Sequence, residues 1–147
     1  MLSLVEVIGG IIKKINSNYK FIFETDRLMN VRADDAASPI AFWEEYTNGQ
    51  VVFDNYGGMY ERVQVELSFM RLAPRDNFQC NALDREQIRQ QIKDEVVYDF
   101  LRAIYNKSND GFFAEPLEEV EVLAEPPRFD SAWVSVLCRF TIERAIC

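Results

Sequence analysis

The chain has 147 residues, of which 48% are hydrophobic and 27% are charged, so it is long and apolar enough to bury a core. Its formal net charge of −8 argues against duplex nucleic acid as a partner, because lysine and arginine side chains supply most of the affinity for phosphates. Histidine is absent, which excludes histidine-based catalytic triads and histidine metal ligands.

An amphipathic helix is predicted over residues 3–17, since polar residues recur there every three or four positions. The segment is shorter than the roughly 20 apolar residues that span a bilayer, and its lysines follow the apolar run, so neither a membrane span nor a signal peptide is expected. Gly9 and Gly10 have two open interpretations: they allow a neighbouring backbone to approach closely, or they weaken the helix. The predicted apolar face consists of Leu4, Val7, Ile8, Ile11, Ile12 and Ile15.

A β-hairpin is the clearest local prediction further along the chain. It follows two short predicted strands over residues 19–24 and 28–31. Residues 40–47 and 50–55 flank Asn48-Gly49, and this pair is preferred in type I′ turns because both positions take positive φ. We therefore expect these two segments to pair with each other.

The predicted hairpin carries aromatic side chains on both faces. The turn would place Trp43 and Tyr56 on one face, and Phe42, Tyr46 and Phe53 on the other, which is expected to be the domain's own core face. Apolar groups on both faces are unusual for a hairpin with one side in water, so two interpretations are open. The hairpin is covered on both sides within its own domain, or it projects and another subunit covers it, with Trp43 and Tyr56 as anchors. The interface candidates are Trp43, Tyr46, Phe53 and Tyr56.

Two long strands are predicted from alternating apolar and polar residues. The first covers residues 63–69, and a change of phase at residues 70–72 predicts a bulge or the end of the strand there. The second covers residues 134–143 and places Cys138 in the core. A short strand is also expected over residues 120–123.

A long helix is predicted to begin at Asp84, which forms a capping-box pattern with Gln87, while Leu83 and Ile88 occupy hydrophobic-staple positions. It is expected to end near Asn106. Its apolar stripe comprises Ile88, Ile92, Val96, Phe100 and Ile104, joined by Val97, Leu101 and Tyr105. Together with the strands, this predicts a single α+β domain over residues 1–147, with a mainly antiparallel sheet, the long helix packed across one face, and the N-terminal amphipathic helix.

No catalytic, cofactor or metal site is predicted, and the chain is not expected to be an enzyme. The densest acidic segment, from Glu115 to Glu125, lacks the spacing and the glycine turn of a calcium loop, so a solvated edge is expected. Cys80, Cys138 and Cys147 are widely spaced and include no Cys-x-x-Cys pair, which favours a reducing compartment such as the cytoplasm. No role is predicted for Cys147.

The order of these elements is similar to that of a known family. An amphipathic N-terminal helix, a β-hairpin, the strand over residues 63–69, a capped helix of about six turns and a closing strand after Phe129-Asp130 follow one another. This order resembles the tail terminator, or tail-completion, proteins of long-tailed bacteriophages and prophages. Those proteins are small, non-enzymatic α+β subunits that form a ring, typically a hexamer, which ends tail-tube growth and joins the tail to the head–neck connector.

The resemblance implies a virion assembly protein that is cytoplasmic during assembly and then part of the virion. Its expected partners are copies of itself in a ring and other phage tail or neck proteins, with neither nucleic acid nor membrane. Head–tail connector proteins of similar size are a second match. The alternative from another class is a small bacterial ligand-binding or enzyme domain whose site is assembled from scattered residues, although the lack of histidine and of motifs argues against it.

Overall fold

The computed structural model describes residues 3–24, 39–44, 49–72, 82–109, 117, 119–125 and 133–146. These residues form an α+β fold, as predicted. The helices are α1 (Leu4–Ile15), α2 (Ala82–Ile92) and α3 (Tyr98–Asn109), with a π-helical turn (Lys93–Val97) between the last two. The strands are β1 (Lys20–Glu24), β2 (Ile40–Glu44), β3 (Gly49–Phe53), β4 (Met59–Leu72), β5 (Glu121–Ala124) and β6 (Trp133–Ala145).

The strands form one mainly antiparallel sheet in the order β1-β2-β4-β6-β5, and β3 also pairs with β4. The β1–β2 pair is parallel, and all the other pairs are antiparallel. β6 pairs with β4 without interruption from Tyr60 to Leu72. Because β6 occupies one edge of β4 throughout, β2 and β3 must share the other edge.

The hairpin predicted around Asn48-Gly49 is therefore wrong. Trp43 lies opposite Leu67 and Gly49 lies opposite Val63, so β2 and β3 run in the same direction along β4 as two segments of one interrupted strand. The reason is that β4 is long enough to offer ladder hydrogen bonds to both segments, one after the other along the same edge.

The main core lies between the helices and one face of the sheet, called the core face here. The predicted apolar faces of α1 and of the long helix are confirmed, apart from Ile15, Ile88 and Leu101, which are only partly buried, and Tyr105, which is 49% exposed. Phe100 from α3 contacts the rings of Phe69 on β4 and Phe140 on β6, with centroids 5.5 and 6.2 Å apart. The alternation predicted for residues 63–69 is also confirmed, except at Ser68, which is buried although it lies on the opposite face.

The π-helical turn explains how the long helix keeps its stripe against the sheet. Apolar residues recur every four positions, whereas an α-helix has 3.6 residues per turn, so a regular helix would rotate the stripe away from the sheet. A π-helical turn takes in one extra residue and resets the phase. Ile92, Val96, Phe100 and Ile104 are all fully buried as a result.

The start of the long helix differs from the prediction. The helix begins at Ala82, so Asp84 lies within its first turn rather than at its N-cap. Leu83 is 67% exposed and makes no hydrophobic staple. The helix also continues to Asn109, beyond the predicted end. The capping box is found on α1 instead, where Ser3 Oγ accepts the N–H of Glu6 (3.2 Å) and the Glu6 carboxylate accepts the N–H of Ser3 (2.8 Å).

The face of the sheet opposite the helices is also apolar at one end. Ile22, Ile40, Phe42, Met70 and Trp133 form a second buried cluster there. Of the two alternatives predicted at residues 70–72, the bulge is wrong, because β4 stays paired with β6 through Leu72. The strand end is confirmed, since β4 ends at Leu72. Met70 is apolar because its face is buried, and no bulge is needed to account for it.

A polar network ties this end of the sheet to the π-helical turn. The Glu95 carboxylate accepts hydrogen bonds from Tyr19 Oη (3.1 Å) and Gln91 Nε2 (3.0 Å), and it pairs with Arg71 at the end of β4. Burial and the negative charge of Glu95 raise the pKa of Tyr19 well above its usual value. These contacts fix the long helix against β1 and β4.

Several predicted features lie outside the described residues: the strand over residues 28–31, Tyr46, Cys80, Cys147, Glu115 and Glu118. In the part of the chain that is described, no helix is both long and apolar enough to cross a bilayer.

Candidate interaction surface at the uncovered end of the sheet

The turn between β3 and β4 is held by a single carboxylate. Asp54 Oδ1 accepts the backbone N–H groups of Tyr56 and Gly58, both at 2.8 Å, and Oδ2 accepts Tyr60 Oη at 3.1 Å. The hydrogen bonds from the Gly58 and Tyr56 amides hold the pKa of Asp54 below its usual value. Gly57 has φ of +83°, a conformation that glycine adopts readily. The turn is thus ordered by its own contacts, and it presents Tyr56 with 97% of the residue exposed.

Beyond the helices, the core face of the sheet continues as an apolar surface in contact with solvent. Phe53 lies opposite Met59 and Val51 lies opposite Glu61, so both β3 side chains share the face of Val63. Phe53 is 66% exposed and Val51 is 56% exposed. We call the exposed apolar residues of this end the tip patch. The tip patch consists of Val51, Phe53, Tyr56, Met59 and Ile146.

Two ion pairs cross between β4 and β6 beside the tip patch. Arg144 Nη2 lies 3.2 Å from a Glu61 carboxylate oxygen, and Arg62 Nη2 lies 2.6 Å from Glu143. Both pairs join residues that lie opposite one another in the β4–β6 ladder. They support the end of the sheet where no described helix covers it, and they balance charge locally.

The outer edge of β3 is not paired with any strand in the described part of the chain. Its five residues, Gly49–Phe53, include no charged residue and no proline. Soluble proteins usually protect such edges with charges, prolines or bulges, because an unpaired edge can pair with another chain. The β3 edge has neither a charge nor a proline to prevent this.

The structure separates the predicted interface residues. Phe53 and Tyr56 are exposed, and both belong to the tip patch. Trp43 is only 2% exposed and packs edge-on against Phe23, with ring centroids 5.4 Å apart, so its predicted role as a surface anchor is wrong. The physical reason is that β2 pairs with β4 and turns Trp43 toward the helices. Phe53 does lie on the core face, as predicted, but at a level that the described helices do not cover.

Sequence reasoning missed Met59 and Ile146. Ile146 donates its N–H to Met59 O at 3.0 Å, which brings the end of the described chain to the tip patch. The signal that could have located this surface is Asp54 followed by Gly57-Gly58, a turn pattern in which aspartate binds its own backbone and glycine takes positive φ.

Chemical candidates elsewhere on the chain give no constellation. The Cys138 thiol is buried in the core, as predicted, and burial raises its pKa to about 12. In the acidic segment, Glu121 pairs with Arg139 (3.2 Å) and Glu125 accepts a hydrogen bond from Ser68 (2.7 Å). Among the described residues, no group of three acidic, cysteine or histidine side chains could hold a metal ion. No protein-family model matches the chain, and no curated protein matches it in sequence.

Proposed function

We propose that this chain is a non-enzymatic assembly subunit that forms a homo-oligomeric ring, of the kind that tail terminators of long-tailed phages and prophages build. The observation that carries the proposal is the tip patch, where Val51 and Phe53 extend the core face into solvent. Exposed apolar surface is unfavourable by about 25 cal/mol per Å² relative to burial, so contact with another molecule stabilises it. Contiguous patches of this kind mark interfaces.

The rigidity of the tip patch supports the same function. The hydrogen bonds of Asp54 hold the turn, and two ion pairs between β4 and β6 stabilise the adjoining end of the sheet. A surface that is already ordered loses little conformational entropy when a partner binds. Tyr56, at the tip, has the large and amphipathic side chain that often dominates interface energy.

The order of elements supports the tail-terminator class, with one difference. The amphipathic α1, the long strand β4, the long helix and the closing strand β6 follow one another as the resemblance requires. The hairpin before the long helix, however, is formed by β3 and β4. In this class the ring ends tail-tube growth and joins the tail to the neck, so the partners are copies of this chain and tail or neck proteins.

The ring is tested by sedimentation of the wild-type chain over a wide range of concentrations, together with negative-stain electron microscopy. We expect closed rings of several copies at high concentration. Tyr56→Ala should weaken ring formation by about tenfold or more, because interface aromatics commonly contribute more than 1 kcal/mol. Tyr105→Ala is the matched control, since Tyr105 on α3 is also an exposed tyrosine but is not part of the tip patch.

Two results would overturn the ring. One is a wild-type chain that never exceeds two copies at any concentration. The other is a Tyr105→Ala variant that weakens association as strongly as Tyr56→Ala, because the contact would then not depend on the tip patch.

A further inference from the structure

The outer edge of β3 presents backbone hydrogen-bonding groups at alternate residues. Asp54 donates its N–H to Gly58 O across the β3–β4 turn (2.9 Å), so the groups of residues 50, 52 and 54 point toward β4. Those of Gly49, Val51 and Phe53 therefore point away from β4, where no described strand lies. Such a row can accept the edge of another strand.

The sequence of β3 fits an antiparallel copy of itself. In a register centred on Val51, each Val51 faces its counterpart, and Gly49 of each copy faces Phe53 of the other. In this register all five residues of Gly49–Phe53 are paired, and the outward N–H and C=O groups of one copy meet those of the other. Shifting one copy by two residues along the other leaves only three of the five residues paired. Gly49 has no side chain that could collide with the facing phenyl ring.

Charge does not oppose this contact locally, although each copy carries a net charge of −8. β3 itself is uncharged, and the neighbouring Arg62 and Arg144 are neutralised within the chain by Glu143 and Glu61. The paired β3 strands themselves therefore bring no charged side chains together when two acidic copies approach along this edge.

From these features we infer that free copies of the chain form a two-fold dimer in which the two β3 edges pair antiparallel about Val51. Side chains directly opposite in an antiparallel pair share one face, so Val51 and Phe53 of both copies join into one apolar surface. The pair is closed, because the same edge is used by both copies. Its consequence for assembly rests on the proposed function: the dimer competes with any ring contact that uses the same β3 edge.

Disulfide trapping tests the register. The experiment uses the full chain with Cys80→Ser and Cys147→Ser, because Cys138 is buried, and adds Val51→Cys under mild oxidation. Paired residues at a hydrogen-bonded position have Cα atoms about 5.5 Å apart, within the range that a disulfide bridges. Val52→Cys is the matched control, because its two copies would lie about 8 Å apart in this register and on the other face of the sheet.

We expect Val51→Cys to form a covalent dimer on non-reducing gels at least tenfold more efficiently than Val52→Cys, with the parent chain staying monomeric on the same gel. Equal trapping at both positions, or none at Val51, overturns the two-fold pairing. This result can be separated from the test of the ring. Trapping at Val51 with no rings in the micrographs supports the dimer and contradicts the proposed function. Rings without trapping at Val51 support the proposed function and contradict the dimer.

Discussion

β2 and β3 lie along the same edge of β4, yet one is buried and the other is exposed. Four of the five residues of β2 are buried, whereas four of the five residues of β3 are exposed. β2 has β1 on its outer side, the helices on its core face and the second cluster on its opposite face. β3 has none of these neighbours among the described residues. Neighbours therefore decide burial here, because both strands are predominantly apolar.

Because of this difference in burial, we expect β2 to contribute to folding stability and β3 to contribute to assembly. Side chains on β2 contribute to folding stability, because they lose contact with water when the chain folds. Apolar side chains on β3 stay exposed when the chain folds, so they add little to folding stability and can stabilise association instead. Substitutions in β2 should therefore change the free energy of unfolding, and substitutions in β3 should change assembly.

The largest expected effect is that of Trp43→Ala in β2. Trp43 is buried among the helices and Phe23, so truncation leaves a cavity and should lower the free energy of unfolding by about 3–5 kcal/mol. Urea denaturation monitored by far-UV circular dichroism measures this loss. A loss below about 1 kcal/mol would mean that Trp43 is not part of the folding core and would remove the contrast between β2 and β3.

A smaller effect on folding stability is expected at the contact between β1 and α1. Among the described residues, β3 has no such neighbours. A side chain at Gly9 would place its Cβ 2.7 Å from the ring of Phe21, whereas one at Gly10 would meet no atom of the described residues within 4 Å. Gly10→Ala should stabilise the chain by about 0.5–1 kcal/mol through helix propensity. Gly9→Ala should be less stable than Gly10→Ala by about 1–3 kcal/mol, because the ring must move.

Denaturation midpoints of the two alanine variants test this difference directly. Equal midpoints would show that Phe21 does not pack closely on α1. The two interpretations of the glycines thus apply to different residues. Gly9 allows a close approach, by an aromatic ring rather than a backbone, whereas no described neighbour requires a glycine at position 10.

Much of the fold could be predicted because its signals are local. The three- and four-residue spacing on α1 and the alternation on β4 and β6 each depend on residues that are neighbours in sequence. Pairing partners are not local. Asn48-Gly49 is a strong turn pair, but β4 offered a long edge that both β2 and β3 could join. The predicted start at Asp84 failed in a similar way, because the helix continues two residues upstream of the capping pattern.

The candidate surface was only partly predictable for the same reason. The aromatic side chains of the predicted hairpin point to Tyr56 and Phe53 as interface candidates, and both are exposed. Trp43 was placed on the wrong side, because the face of a strand residue depends on which strand it pairs with. Met59 and Ile146 could not be identified from sequence, since their exposure depends on where the helices stop covering the sheet.

The smallest expected effect on folding, and the most direct test, belongs to Phe53→Ser with Leu83→Ser as its control. The two residues have nearly equal exposure, 66% and 67%, but only Phe53 lies in the tip patch. Each variant is measured twice, by urea denaturation and by sedimentation over the same concentrations. We predict that both change the free energy of unfolding by less than about 0.5 kcal/mol, and that only Phe53→Ser weakens self-association, by about tenfold or more. The account is contradicted if Phe53→Ser destabilises the fold by several kcal/mol, or if it associates as strongly as Leu83→Ser.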